Sequence, residues 1–172
     1  MFWNKIKDFS TKKIVKKKLL NVKHLASDIS IKKVGIVFDE TYFYEKEALI
    51  KELVKNGIRE DAISFIVFKN VIKKNEIFDY SVFSHKDLSW NATFDKKEVV
   101  DFVSQQFDLL ISYYDTEKAA LLLVTHLSKA SFKVGFASVD KRLNHFMIDT
   151  NAENYKVFTD ELFKYLKILN KL

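Results

Sequence analysis

The sequence contains no cysteine and no proline, and it has only three glycines in 172 residues. Without cysteine, a disulfide framework, a thiolate nucleophile and a zinc site built on sulfur are all excluded. The glycines Gly35, Gly57 and Gly135 are isolated, so there is little material for a flexible linker or for a glycine-rich loop that cradles phosphates. These absences favour one folded unit that is stabilised by packing alone.

Long apolar runs are also missing, since no stretch approaches the ~20 apolar residues that a membrane span needs. The first five residues lack the apolar core and cleavage site of a secretory signal, and we therefore expect a cytoplasmic protein. A hydrophobic content of 48%, with 16 Phe, is typical of a single domain with a packed core. Disorder is accordingly not expected for the bulk of the chain.

Positive charge is concentrated at the N-terminus. Residues 1–24 contain one acidic residue, Asp8, against eight lysines: Lys5, Lys7, Lys12, Lys13, Lys16, Lys17, Lys18 and Lys23. This segment therefore carries a formal charge of +7, and because the whole chain carries +6, the remainder sums to −1. We predict a basic N-terminal helix or arm over residues 1–24 and an α/β domain over residues 25–172. A concentrated basic run on a neutral body is typical of attachment to phosphate-rich partners.

The residues between the lysines leave two partners open. RNA phosphates would bind all eight lysines irrespective of helix face. An anionic membrane surface would instead use the lysines together with an apolar wedge formed by Phe2, Trp3, Ile6 and Phe9, which fall on one broad helical face. A third interpretation is that Phe2, Ile6 and Phe9 dock on the body while the lysines are merely solvated.

The rest of the chain alternates short apolar runs with helical patterns. Strands are predicted at residues 33–39, 63–68, 78–83, 107–114, 132–137 and 145–149, the third of them near a sheet edge. Helices are predicted at residues 44–56, 96–105 and 119–127 and from residue 152 onwards, and residues 85–95 are predicted to form a loop. This order indicates a single Rossmann-like, three-layer α/β domain with a mostly parallel sheet of about five or six strands.

Three segments carry a resemblance to known families. At Phe107–Tyr114, Ser128–Phe136 and Asn144–Thr150, the chain resembles a family of short Bacteroidota α/β proteins classed as a domain of unknown function. It is also distantly similar to the N-terminal half of heptosyltransferase-type glycosyltransferases. The second resemblance implies a Rossmann-like half-domain, in a family whose donor sugar nucleotide is bound chiefly by the other half, and no catalytic residue carries over.

Acidic and hydroxyl side chains follow several predicted strands, at the edge where open α/β sheets bind ligands. They are Asp39, Thr41, Asp115, Thr116 and Asp140. They could form a ligand edge for ribose hydroxyls or a hard cation, but Asp and Thr are also ordinary helix caps, and Asp115 or Thr116 could cap the helix over 119–127. Each of the four histidines stands alone, and no metal site, cofactor or catalytic triad is predicted.

The function predicted from the sequence is a non-enzymatic binding module, tethered to RNA through its lysine-rich arm, with ribosomal RNA as one candidate. Its α/β body would contact another protein or a small ligand. The first alternative is a peripheral membrane-surface protein that uses the basic N-terminal helix. The second is a nucleotide or nucleotide-sugar binding enzyme that uses the acidic strand ends.

Overall fold

Six parallel strands form one sheet in the computed structural model, which describes residues 2–19 and 30–172, with the side chains of residues 2–5 and 7 left out. The strand order is β3-β2-β1-β4-β5-β6, which is that of a Rossmann-type doubly wound sheet. The strands are β1 Val34–Asp39, β2 Ile63–Phe68, β3 Ser81–Phe83, β4 Leu109–Tyr113, β5 Phe132–Phe136 and β6 Phe146–Ile148. The predicted α/β class and its parallel sheet are confirmed.

The central strands are buried on both faces, as parallel strands between two helical layers must be. All six residues of β1 and all five of β4 are buried, and this is why both strands are continuous apolar runs in the sequence. Gly35 lies where the ring of Phe107 crosses β1, and a Cβ at this glycine would stand 2.7 Å from that ring. Close packing, and not a turn, therefore requires this glycine.

In the part of the chain that the structure describes, five α-helices surround the sheet. They are α1 Phe2–Lys18, α2 Lys46–Lys55, α3 Lys97–Ser104, α4 Ala119–Leu127 and α5 Tyr155–Ile168. Right-handed crossovers place α2 on one face and α3 and α4 on the other; in agreement, α2 contacts α5 and α3 contacts α4. The N-terminal helix α1 packs against α4 and so belongs to the α3/α4 side of the domain.

Two elements differ from the sequence prediction. The third strand is an edge strand, as predicted, but it begins at Ser81 and not at residue 78. The preceding aromatic residues lie against lysines instead of pairing in the sheet: the Nζ of Lys69 is 4.5 Å from the ring centre of Phe78, and that of Lys46 is 4.6 Å from the ring of Tyr80. The predicted loop at 85–95 begins with a short 3₁₀ helix, His85–Asp87.

Candidate functional site

The N-terminal helix α1 packs against the body through one narrow face. Thr11 and Val15 are fully buried and Leu19 is 4% exposed, and these residues follow one another at helical spacing along the side that faces α4. Val15 and Leu19 belong to the same hydrophobic core as the sheet. Because this face is fixed, the opposite side of α1 is presented to solvent in a defined orientation.

Asp8 anchors the first half of α1. Its Oδ1 accepts a hydrogen bond of 3.1 Å from the backbone N–H of Ala119, the first residue of α4, and lies 3.3 Å from Nδ1 of His85. Burial would raise the pKa of Asp8, but these hydrogen bonds from His85 and Ala119 outweigh it and hold the pKa below its ordinary value. A carboxylate at a helix N-terminus satisfies a free amide and interacts well with the helix dipole.

Arg142 anchors the other end of α1. Its Nη1 donates to the carbonyl oxygens of Lys16, at 3.0 Å, and Leu19, at 3.4 Å, so it satisfies carbonyls that the helix end leaves unpaired. Asp140 holds the guanidinium through two contacts, Nε to Oδ1 at 2.9 Å and Nη2 to Oδ2 at 2.7 Å. Hydrogen bonding from Arg142 lowers the pKa of Asp140 to about 2. The predicted ligand residue Asp140 thus positions α1.

A groove of about 480 Å³ runs along the solvent side of α1, and we call it the basic groove. It is lined by Phe9, Lys12, Lys13, Lys16 and Lys17. Phe9 is 73% exposed, and Ile6, one turn before it, is 37% exposed. The interpretation in which these side chains dock on the body is therefore contradicted for Phe9, whereas Ile6 is only partly exposed and the side chain of Phe2 lies outside the described residues.

The lysines of α1 fall into two groups. Glu117 pairs with two of them, since its Oε2 lies 3.1 Å from Nζ of Lys12 and 2.7 Å from Nζ of Lys16. Burial would raise the pKa of Glu117, but its hydrogen bonds with Lys16 and Lys12 outweigh this and lower the pKa. Among the described residues, no carboxylate forms an ion pair with Lys13, Lys17 or Lys18, although Lys18 donates to the carbonyl of Asn91 at 3.2 Å.

Several of the predicted partner-binding residues cannot be placed. Lys23 lies outside the described residues. The side chains of Phe2, Trp3, Lys5 and Lys7 also lie outside the description, although their backbone belongs to α1.

The predicted ligand edge is divided into separate contacts. Asp39 ends β1 and forms an ion pair with Lys118, whose Nζ also donates to Oγ1 of Thr41 at 2.7 Å. Burial lowers the pKa of Lys118 despite the neighbouring Asp39. This pair lies where the strand order reverses between β1 and β4, the point at which Rossmann-type folds bind ligands.

Asp115 and Thr116 are engaged elsewhere. The Oδ2 of Asp115 accepts from the backbone N–H of Ala152 at 2.9 Å, and Thr116 donates to Oδ1 of the same carboxylate at 3.3 Å. The sequence suggested that Asp115 or Thr116 caps α4, but neither does. The carboxylate that accepts from the first residue of α4 belongs to Asp8. Within the described ranges, no three acidic or histidine side chains gather closely enough to hold a metal ion.

The loop after β1 is occupied by an ion-pair network instead of an open phosphate cradle. Glu40 accepts from Lys46 through Oε1 and forms an ion pair with Lys69 through Oε2, both at 2.9 Å, and Lys69 also pairs with Glu76 at 3.2 Å. Burial would raise the pKa of Glu40, but the two lysines lower it. A carboxylate held at this position would repel the pyrophosphate that Rossmann-type loops receive.

In a comparison with known protein families, residues 7–169 match the family of unknown function DUF6913. The chain belongs to this family. No curated protein and no solved structure matched the chain. Among the helices of this DUF6913 protein, within the part of the chain that is described, none is long and apolar enough to cross a membrane.

Sequence reasoning missed the residues of the body that hold α1 in place, namely Glu117, Arg142 and His85. Each of them is more than 70 positions away from its partner in α1, so local periodicity carries no signal for them. A partial signal was available in α1 itself, where Thr11, Val15 and Leu19 recur at helical spacing. In this DUF6913 protein, these three residues define the buried face of α1, and the basic groove lies on the opposite, solvent-exposed side.

Proposed function

We propose that the protein is a non-catalytic RNA-binding module and that it binds RNA phosphates through the basic groove of α1. The observation that carries this proposal is that Lys13, Lys17 and Lys18 have no carboxylate partner among the described residues. These lysines lie on a helix whose other face is buried against the body. Residues 1–24 carry a formal charge of +7 while the remainder sums to −1, and such a concentrated positive potential attracts polyanions.

The spacing of the lysines suits a phosphate backbone. Lys13 and Lys17 are four residues apart, which is about 6 Å along a helix axis, and both are exposed. Each lysine that neutralises a phosphate of a single strand adds about −0.7 to the slope of log affinity against log salt concentration. The three lysines without a carboxylate partner therefore predict a slope of about −2, of which Lys13 and Lys17 in the groove contribute about −1.4.

The test is RNA binding by a double variant with a matched control. Lys13→Gln/Lys17→Gln removes two charges from the basic groove, and Lys51→Gln/Lys55→Gln removes two charges at the same spacing from α2, on the other face of the sheet. Fluorescence anisotropy with a labelled 12-nucleotide oligouridine should show weaker binding for the first variant only. Equal affinities for both variants would refute the proposal. If the RNA partner is ribosomal, the wild-type protein should also co-sediment with ribosomal particles at low salt.

The membrane-surface alternative is supported by one observation, the exposure of Ile6 and Phe9 on the same side of α1. A peripheral helix inserts such apolar side chains at the bilayer interface. Sedimentation with anionic vesicles should then decrease when Phe2 and Trp3 are replaced by alanine, and an unchanged pellet would remove this alternative. The nucleotide-sugar hypothesis, to which the heptosyltransferase resemblance belongs, has less support because Asp39 and Asp140 are held by Lys118 and Arg142.

A further inference from the structure

The basic groove contains one feature that phosphate binding does not explain. Phe9 is 73% exposed although it lies on a helix that buries Thr11 and Val15 in the core. It forms part of the groove wall together with lysines of the next two turns. Phe9 forms no ring contact with another aromatic among the residues whose side chains are described.

An exposed ring beside lysines provides both groups that a single nucleic-acid strand requires. Ammonium groups bind the phosphates, and the aromatic face accepts an unpaired base, a contact worth about 1–3 kcal/mol per base and tolerant of sequence. A duplex offers only its phosphates and groove edges, because its bases are already stacked and paired. A groove with this composition therefore distinguishes single strands from double strands.

We infer that an unpaired nucleobase stacks on Phe9 in the basic groove while the adjoining phosphates bind Lys13 and Lys17, so that the protein selects single-stranded over double-stranded RNA. This inference rests on the proposed function. The groove volume of about 480 Å³ falls within the range of about 300–1,000 Å³ that is typical of sites for small molecules. A volume of this size can hold a base and its adjoining phosphates.

The composition of this surface favours RNA over a bilayer. Phe9 is 73% exposed and is bordered by lysines of α1, so the phosphates beside a base stacked on the ring would meet ammonium groups, whereas a wedge for a lipid interface needs further apolar surface around it. Lys12 and Lys13 follow Phe9 in the next turn of the helix. A helix inserted into a bilayer would need apolar side chains at these positions, and α1 has ammonium groups there instead.

The experiment compares a 12-nucleotide single strand with a 12-base-pair RNA duplex, for the wild type and variants at position 9. Phe9→Leu keeps an apolar side chain but removes the stacking face, and Phe9→Trp keeps the face. We expect Phe9→Leu to weaken single-strand binding by about 5- to 100-fold, to leave duplex binding unchanged, and to be rescued by Phe9→Trp. Ile77→Ala, at a 94% exposed apolar residue elsewhere, is the matched control.

The outcomes separate this inference from the proposal on which it rests. If Phe9→Leu weakens both RNAs equally, or neither, the stacking inference is overturned while phosphate binding by the lysines survives. If Lys13→Gln/Lys17→Gln also leaves both affinities unchanged, the proposed function fails as well. If Phe9→Ala lowers binding to anionic vesicles and not to RNA, the groove is a membrane contact and the inference is wrong. Thermal melts verify that each variant is folded.

Discussion

Glu117 offers a test in which a mutation should strengthen binding. It is the carboxylate that pairs with Lys12 and Lys16, at 3.1 and 2.7 Å. Replacing it with glutamine removes the negative charge and keeps an oxygen that can accept from the backbone N–H of Asp140, as Oε1 of Glu117 does at 3.1 Å. If the lysines of α1 bind RNA, Glu117 competes with the RNA phosphates, and Glu117→Gln should bind RNA more tightly.

The expected size of the effect follows from the geometry. A phosphate on Lys16 would lie roughly 5 Å from the carboxylate, where two like charges repel by about 0.8 kcal/mol in water. Removing that repulsion strengthens binding about fourfold for one phosphate, and about 15-fold if a second phosphate binds Lys12. The salt slope should steepen by up to about 1.4, since two more lysines then release counterions. Stability should fall by less than about 1 kcal/mol, because both lysines are at least 30% exposed.

The assay is anisotropy with 12-nucleotide oligouridine over a range of potassium chloride concentrations. Glu161→Gln is the matched control, because Glu161 pairs with Lys164 at 3.1 Å on α5, a helix that packs against α2. It removes the same charge at a distance from the groove. If Glu117→Gln binds RNA no more tightly than Glu161→Gln does, Lys12 and Lys16 do not contact the phosphates and this reasoning is refuted.

Two further predictions concern the contact between α1 and the body, and the acidic residues that follow the strands. Asp8→Ala should lower the free energy of unfolding in urea by about 0.5–2 kcal/mol, the usual value of a lost helix cap. Because the pKa of Asp8 is lowered in the folded state, its contribution to stability is fully present above pH 3.8 and is lost as the pH falls through the folded pKa. If the wild type and Asp8→Ala lose the same amount of stability between neutral and acidic pH, this prediction is contradicted. In a thermal-shift screen, nucleotides and nucleotide sugars with Mg²⁺ should leave the melting temperature unchanged, whereas a ligand at 100 times its dissociation constant would add about 2.7 kcal/mol.

The fold could be predicted from the sequence because its signals are local. Buried parallel strands must be apolar on both sides, and β1 and β4 are therefore visible as continuous runs. The third strand was predicted too long because Phe78 and Tyr80 have strand-like composition but lie against Lys69 and Lys46. The alternation of these runs with helical patterns was enough to indicate a doubly wound sheet.

The candidate site could be predicted only in part. The sequence located the lysines, because a charge concentration needs no tertiary information. It could not determine which side of α1 faces solvent, since that depends on contacts such as Asp8 with Ala119, which are 111 positions apart. Nor could it identify Glu117 as the residue that pairs with two of the eight lysines. The helical face of Ile6 and Phe9 was recognised, but its exposure followed only from the packing.

The central claim is that unpaired lysines of the basic groove bind RNA phosphates, and the salt dependence of RNA affinity tests it most directly. We predict that Lys13→Gln/Lys17→Gln reduces the magnitude of the slope of log affinity against log salt by about 1.4 relative to the wild type. The control Lys51→Gln/Lys55→Gln should retain the wild-type slope. Identical slopes for all three proteins would contradict the claim.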